Sequence, residues 1–179
     1  SCDKIEKERK ENNLILMAAD RGLDFFKETG LVPDIVDGDF DSVSGNGKKY
    51  LESLSETEII KLQSEKDDTD TQSAVNLAIK KGAKSILILG ATGGRLDHFL
   101  GNLGLLTLGR LKNVEIAMAD EQNYICLVRS GTQLLKDRQF GKYVSFFPVG
   151  DKVEGLTLTG FKYPLEKYCL TIADCGLTV

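Results

Sequence analysis

Histidine and tryptophan are almost absent from this chain of 179 residues: His98 is the single histidine, and there is no tryptophan. A lone imidazole argues against a zinc centre and leaves any metal chemistry to carboxylates. The four cysteines, Cys2, Cys126, Cys169 and Cys175, form no Cys-x-x-Cys pair. Their sparse spacing suits reduced thiols in a cytoplasm better than a secreted disulfide framework. With 3 prolines and 18 glycines, collagen-like, mucin-like and intrinsically disordered chains are disfavoured, and 41% hydrophobic residues suffice for a packed core. No apolar run approaches the roughly 20 residues that cross a bilayer, and residues 1–13 are too charged and polar for a signal peptide. An excess of one charge is also missing, since 23 basic residues face 27 acidic ones. A net charge of -4 offers no general attraction to nucleic acid or to an anionic membrane, and neither is expected as a partner.

The remaining pattern has two textures. Up to about Lys112, short apolar runs alternate with helical stretches, as in a parallel α/β sheet. Strands are expected over 14–18, 34–36 and 85–89. Helices are expected over 23–29, over 69–81, where Thr69 and Gln72 form a capping box and Gly82 ends the turn, and over 95–109. Beyond Asn113 the period becomes two, with strands expected over 115–119, 124–129, 143–149, 156–159 and 169–173. The expected fold class is therefore α/β, a Rossmann-like parallel-sheet domain (1–118) followed by an antiparallel β-sandwich (119–179). A sandwich of roughly 60 residues is small to stand alone, which points to a partner.

Chemistry-bearing residues gather where strands end. In Asp34-Ile-Val-Asp-Gly-Asp-Phe-Asp-Ser42, an extended backbone would place Asp39 and Asp41 on one side, a Mg²⁺ site in outline, with Gly38 permitting close backbone approach. The same aspartates also suit a polar turn. In Lys66-Asp-Asp-Thr-Asp70, acids at a helix start serve capping and the dipole, yet three in four positions crowd charge that a cation would offset. Gly90-Ala-Thr-Gly-Gly-Arg-Leu-Asp-His98 is a glycine-rich turn opening a helix, suited to cradling phosphate, with Arg95 as a planar donor. His98 alone, on an otherwise apolar helix, reads more readily as a structural hydrogen-bonder than as a catalyst. Asp20 in Ala19-Asp-Arg-Gly22 adds an acid after the first strand, or an ordinary cap. If these strands share one sheet, the four loops converge on one edge. Carboxylates for a metal with glycines and an arginine for phosphates point to metal-assisted phosphoryl or pyrophosphoryl chemistry. Between residues 20 and 70, 14 acids face 6 basic residues, so the acidic excess surrounds this region.

PDIVDGDFDS, KDDTDTQSAV and GATGGRLDHFLGNL, in this order and spacing, resemble the thiamin pyrophosphokinase family over roughly 14–102. The β-rich remainder is similar more loosely, through Gly155-Leu-Thr-Leu-Thr-Gly-Phe-Lys-Tyr-Pro164. The resemblance implies Mg²⁺-dependent transfer of a pyrophosphoryl group from ATP to the hydroxyl of thiamin. The products are thiamin diphosphate and AMP, made by a cytoplasmic homodimer whose site lies between the α/β domain of one subunit and the sandwich of the other. It implies that Asp39, Asp41 and Asp70 hold Mg²⁺ with help from Asp67. Asp20, Arg21, Thr92, Gly93, Gly94, Arg95 and His98 would serve ATP, and Asp97, Asn102 and Thr178 thiamin. Arg95, Asp41 and Asp97 are the implied catalytic residues, with Asp97 orienting or deprotonating the hydroxyl. Against the family pattern, Arg21 stands where a glycine is expected, an apolar strand ahead of the first helix is missing, and a Ser-Asn stretch with a last strand is expected past Val179. The sandwich is accordingly expected to be incomplete. A Mg²⁺-dependent phosphohydrolase and a non-catalytic nucleotide or thiamin sensor are the alternatives.

Overall fold

Residues 1–12 carry a sequence too polar to announce an element, yet they form helix α1 (Cys2–Asn12). In this computed structural model, which describes residues 2–40, 43–61, 69–174 and 177–178, tertiary contacts supply what α1 lacks in apolar periodicity. Ile5 packs against the first core cluster. Arg9 pairs with the Asp34 carboxylate and donates to the Val32 carbonyl at 3.3 Å. The other oxygen of Asp34 accepts the Leu16 amide at 2.7 Å. The exposed Lys7–Glu11 pair at 3.9 Å adds little.

The chain divides into two units, one of residues 1–121 with 125–127, the other of 122–124 with 128–179. In the first, β1 (Met17–Ala19), β2 (Ile35–Gly38) and β3 (Glu58–Lys61) form a parallel sheet in the order β1-β2-β3. Ala19 lies opposite Asp37, and Asp37 opposite Ile60. Helix α2 (Gly22–Thr29) buries Leu23 and Phe26, three residues apart on one face, and stops at Gly30, whose φ of 73° the left-handed cap requires. Helix α3 (Gly45–Ser53) begins with a glycine-rich turn of low helix propensity, and Ser44 starts it by accepting the Gly47 amide at 3.0 Å. These elements enclose a core of Ala18, Leu23, Phe26, Leu31, Val36, Phe40 and Val43.

Helix α4 (Asp70–Lys80) follows its expected punctuation. Thr69 accepts the Gln72 amide at 3.2 Å, and Gly82, at φ 93°, donates to the Ile79 carbonyl. β4 (Ser85–Leu89) then pairs in parallel with β5 (Glu115–Ala119), residue for residue, and β6 (Tyr124–Cys126) completes that sheet. Helix α5 (Leu96–Lys112) makes the crossover. It presents Leu105 and Leu106 to a second core with Val75, Val114, Ile116 and Met118. Gly109 lets α5 approach β5, because a Cβ there would meet Ile116 Cγ1 at 2.6 Å and the Val114 carbonyl oxygen at 2.7 Å.

The single sheet expected for the four loops is therefore two three-stranded sheets among the described residues. α4 packs against β1 and β2 as well as α5, while β4 takes β5 as its hydrogen-bonded neighbour. Within the second unit, β8 (Lys152–Leu158) and β9 (Leu165–Thr171) pair antiparallel with shifts in register near Gly155 and Lys167, whose φ values are 72° and 48°. β7 (Ser145–Phe146) pairs antiparallel with β10 (Leu177–Thr178). At the end of β9, Asp174 accepts hydrogen bonds from Tyr168 Oη at 2.8 Å, the Thr171 amide at 2.5 Å and Thr171 Oγ1 at 2.8 Å. The fold class is α/β with an antiparallel β-region after it. No helix of the described residues is long and apolar enough to cross a membrane.

Candidate functional site

The ends of β1 and β2 are fastened directly to one another. The Asp20 amide donates to the Asp37 carbonyl at 2.9 Å, and a Cβ on Gly38 would lie 3.2 Å from both the Asp20 nitrogen and its Cα. Glycine is required there by close approach rather than by its dihedral angle. Asp20, at φ 42°, is 9% exposed, and its carbonyl accepts the Leu23 amide that opens α2. The acid after β1 is thus part of a shared edge with β2, as the spacing suggested. Arg21, at the start of α2, is exposed and makes no side-chain cap.

Asp39 follows at once and is half-buried. The extended run that would align it with Asp41 ends at Gly38, however, and Phe40 adopts φ 63° with its ring buried in the first core. A bulky residue in this left-handed region is strained, and burial of the ring holds it there. The strand invoked for Asp39 and Asp41 thus ends one residue before Asp39. Asp41 and Asp67 lie outside the described residues. Asp70 occupies the first turn of α4. Among the described residues no three of His, Cys, Asp and Glu gather closely enough to hold a metal. The donors that are described, Asp39 and Asp70, offer hard carboxylate oxygens of the kind Mg²⁺ takes, and the backbone approach at Gly38 brings a second loop to the same edge. The chemistry of the set fits a hard divalent cation.

Sequence reasoning passed over Asp37, whose carboxyl-bearing side chain is 1% exposed beneath this edge, and Asp24 in the first turn of α2. The signal for Asp37 was its place two residues before Asp39 in the same aspartate-rich motif. Asp24 had none, because its partner, the Ser44 hydroxyl at 2.7 Å, is 20 residues away.

The glycine-rich turn after β4 takes left-handed angles at Gly90 and Gly94, 74° and 76°, and Gly93 and Gly94 are exposed. Thr92 is half-buried, while Arg95 and His98 are exposed at the head of α5. Arg95 binds Asp97 through both its Nε, at 3.1 Å, and its Nη2. This hydrogen-bonded guanidinium holds the Asp97 carboxyl below its usual range, which weakens it as a base. Asn102 is 7% exposed, and its Nδ2 donates to the Ala91 carbonyl at 3.1 Å, bracing the turn from behind. Thr178 sits in β10 opposite Ser145, within the second unit.

Comparison with known proteins agrees with these motifs. A family model described as thiamin pyrophosphokinase, catalytic domain, matches residues 7–118, and one described as thiamin pyrophosphokinase, vitamin B1 binding domain, matches 132–178. Thiamine pyrophosphokinase of Bacillus subtilis is 35% identical over 164 residues, covering 92% of this chain and 76% of the relative. A crystal structure of the Bacillus subtilis protein superposes with a TM-score of 0.77 at 34% identity, over 92% of this chain and 76% of that one. The thiamin pyrophosphokinase of Geobacillus thermodenitrificans gives 0.78 at 33%, over 93% and 77%. Extending as they do across both units, these matches show that the chain belongs to the thiamin pyrophosphokinase family, enzymes of the pyrophosphotransferase class.

Proposed function

We propose that this chain transfers the terminal pyrophosphoryl group of ATP to the hydroxyl of thiamin, releasing AMP. The observation that carries the reading is the fastening of Asp20 to β2 through Gly38, which puts Asp39 and the first acidic loop on one edge. Asp39, Asp41, Asp70 and Asp67 would hold Mg²⁺ through carboxylate oxygens. When bound, that ion would offset the charge on the transferred phosphates.

The chain's own residues position the reactants. Asp20 and Arg21 would face the nucleotide, and Thr92, Gly93, Gly94, Arg95 and His98 its phosphates, with outward amides at a helix start and a guanidinium suited to oxyanions. Two of the five N–H donors of Arg95 are engaged by Asp97, which leaves three for phosphate. With its carboxyl held acidic by Arg95, Asp97 serves better to orient Arg95 and the thiamin hydroxyl than to remove a proton. Asn102 has given one amide hydrogen to Ala91, so its carbonyl oxygen is what it would offer thiamin. Thr178 would meet thiamin from the second unit. Residues 1–118 would form the ATP- and metal-binding domain, and 119–179 the thiamin-binding and dimerisation domain of a homodimer. The unpaired thiols of Cys126 and Cys169, both exposed, support a cytoplasmic setting.

Incubation with ATP, Mg²⁺ and thiamin should yield AMP and thiamin diphosphate in equal amounts, and Asp41→Asn should abolish this. Phosphate release without thiamin would indicate hydrolysis instead, and tight binding without turnover a sensor. Sedimentation at micromolar concentration should give a dimer.

A further inference from the structure

Asp24 and Ser44 lie on separate elements, α2 and the start of α3, and neither belongs to a motif that bears on phosphate or metal. Ser44 Oγ nevertheless donates to Asp24 Oδ1 at 2.7 Å while accepting the Gly47 amide at 3.0 Å. Around this pair the packing leaves no slack. A Cβ on Gly47 would stand 2.5 Å from Val43 Cγ1, 2.6 Å from Asp24 Oδ1 and 3.3 Å from Ser44 Oγ. Val43 is itself buried in the first core, as is Phe40 on the other side of the loop. Two fixed points therefore follow Asp39 in the chain, the Phe40 ring in the first core and the Asp24–Ser44–Gly47 knot at the start of α3. Asp24 sits in the first turn of the helix that the Asp20 carbonyl opens, and its own amide donates to the Arg21 carbonyl at 3.1 Å. The knot thus ties α2 to the start of α3, in addition to the contact of Asp20 with Gly38.

We propose that Asp24 is a positioning residue for Asp39, fixing the start of α3 against α2 so that Asp39 is presented in one arrangement. The proposal rests on Asp39 being a metal ligand. Residues that orient ligands in this way typically change metal affinity by roughly 10–100-fold when removed. Mn²⁺ binding to the whole protein is measured by electron paramagnetic resonance, in the presence of an ATP analogue with methylene in place of the α,β-bridging oxygen. Asp24→Ala should weaken Mn²⁺ by roughly 10-fold or more, with thiamin affinity unchanged. Asp24→Asn should recover most of the loss, because its amide oxygen still accepts the Ser44 hydroxyl. Should Asp24→Ala fail to fold, Ser44→Gly carries the test, since glycine still caps a helix but offers no hydroxyl, and it should weaken Mn²⁺ likewise. Wild-type Mn²⁺ affinity in the folded Asp24→Ala or Ser44→Gly protein would overturn the role of Asp24, and so would equal losses for Mn²⁺ and thiamin. Unchanged Mn²⁺ binding in Asp39→Asn would instead overturn the metal reading beneath it.

Discussion

Replacing Gly38 with alanine tests whether the two loops meet as closely as described. The added Cβ would sit 3.2 Å from the nitrogen and Cα of Asp20 and 3.4 Å from its Cβ, tighter than ordinary van der Waals contact. Two of these three atoms are backbone, so the clash cannot be relieved by turning a side chain. Relief must come from separating β1 from β2 by a few tenths of an ångström, which strains the Asp20-to-Asp37 hydrogen bond. Overpacking of this kind costs about 1–3 kcal/mol. Alanine also narrows the unfolded ensemble, returning about 0.4–1 kcal/mol. The net loss is then centred on about 1 kcal/mol, a fall of roughly 2–4 °C in thermal midpoint for a chain of this size. Activity should suffer more than stability, by about 10–100-fold in kcat/KM, because displacement of reacting groups by fractions of an ångström is costly. Gly22→Ala is the internal control. Nothing lies within 4 Å of its would-be Cβ, and it opens α2, so the change should be neutral or stabilising. Calorimetry and steady-state kinetics on both variants suffice. Wild-type stability and activity in Gly38→Ala would refute the close approach.

Gly109→Ala should destabilise more strongly, by about 2–4 kcal/mol, since its Cβ would fall within 3 Å of Ile116 and the Val114 carbonyl, and chemical denaturation should show it without a change in ligand specificity. Asp34→Ala should cost about 1–2 kcal/mol by releasing both Arg9 and the Leu16 amide, and faster amide exchange in α1 should accompany the loss. Hydrogen bonds from the Thr171 amide, Thr171 Oγ1 and Tyr168 hold the Asp174 carboxyl below its usual value. Its contribution is therefore fully present above the unfolded carboxylate pKa of about 3.9 and is lost as pH falls through the lower folded value. Asp174→Asn should flatten that acid limb in a pH series of thermal midpoints, and an unaltered limb would contradict the assignment.

The elements that could be read in advance are those whose determinants lie close together in the chain. Thr69, Gln72 and Gly82 bracket α4 within fourteen residues, and the apolar runs of β4 and β5 pair with each other as strands, although Leu87 and Leu89 of β4 stay exposed. α1 was invisible because its hold on the fold is Arg9 reaching Asp34, 25 residues on. α3 was hidden by Gly45 and Gly47, which normally discourage helix, and of these Gly47 is demanded by the closeness of Val43 and Asp24. β3, with Glu58 and Lys61 at its ends and its residues largely exposed, lacks the alternation that betrays a half-buried strand. At the site, the residue types and their order were legible. Geometry was less so: β2 ends at Gly38, before Asp39, and Phe40 turns to a positive φ that a buried ring rather than anything local stabilises.

The hydrogen bond from Asn102 to Ala91 has a consequence for the turn it braces. A peptide unit is flat and trans, so its carbonyl and the next residue's N–H point in opposite directions. No peptide bond among the described residues is cis. With the Ala91 oxygen drawn in toward α5, the Thr92 hydrogen is turned out on the opposite side of the same plane. A buried amide on the second turn of a helix thereby sets the direction of a donor ten residues earlier, as a keel sets the mast. Rotation of that one plane, more than movement of the loop as a whole, is the freedom that Asn102 withholds.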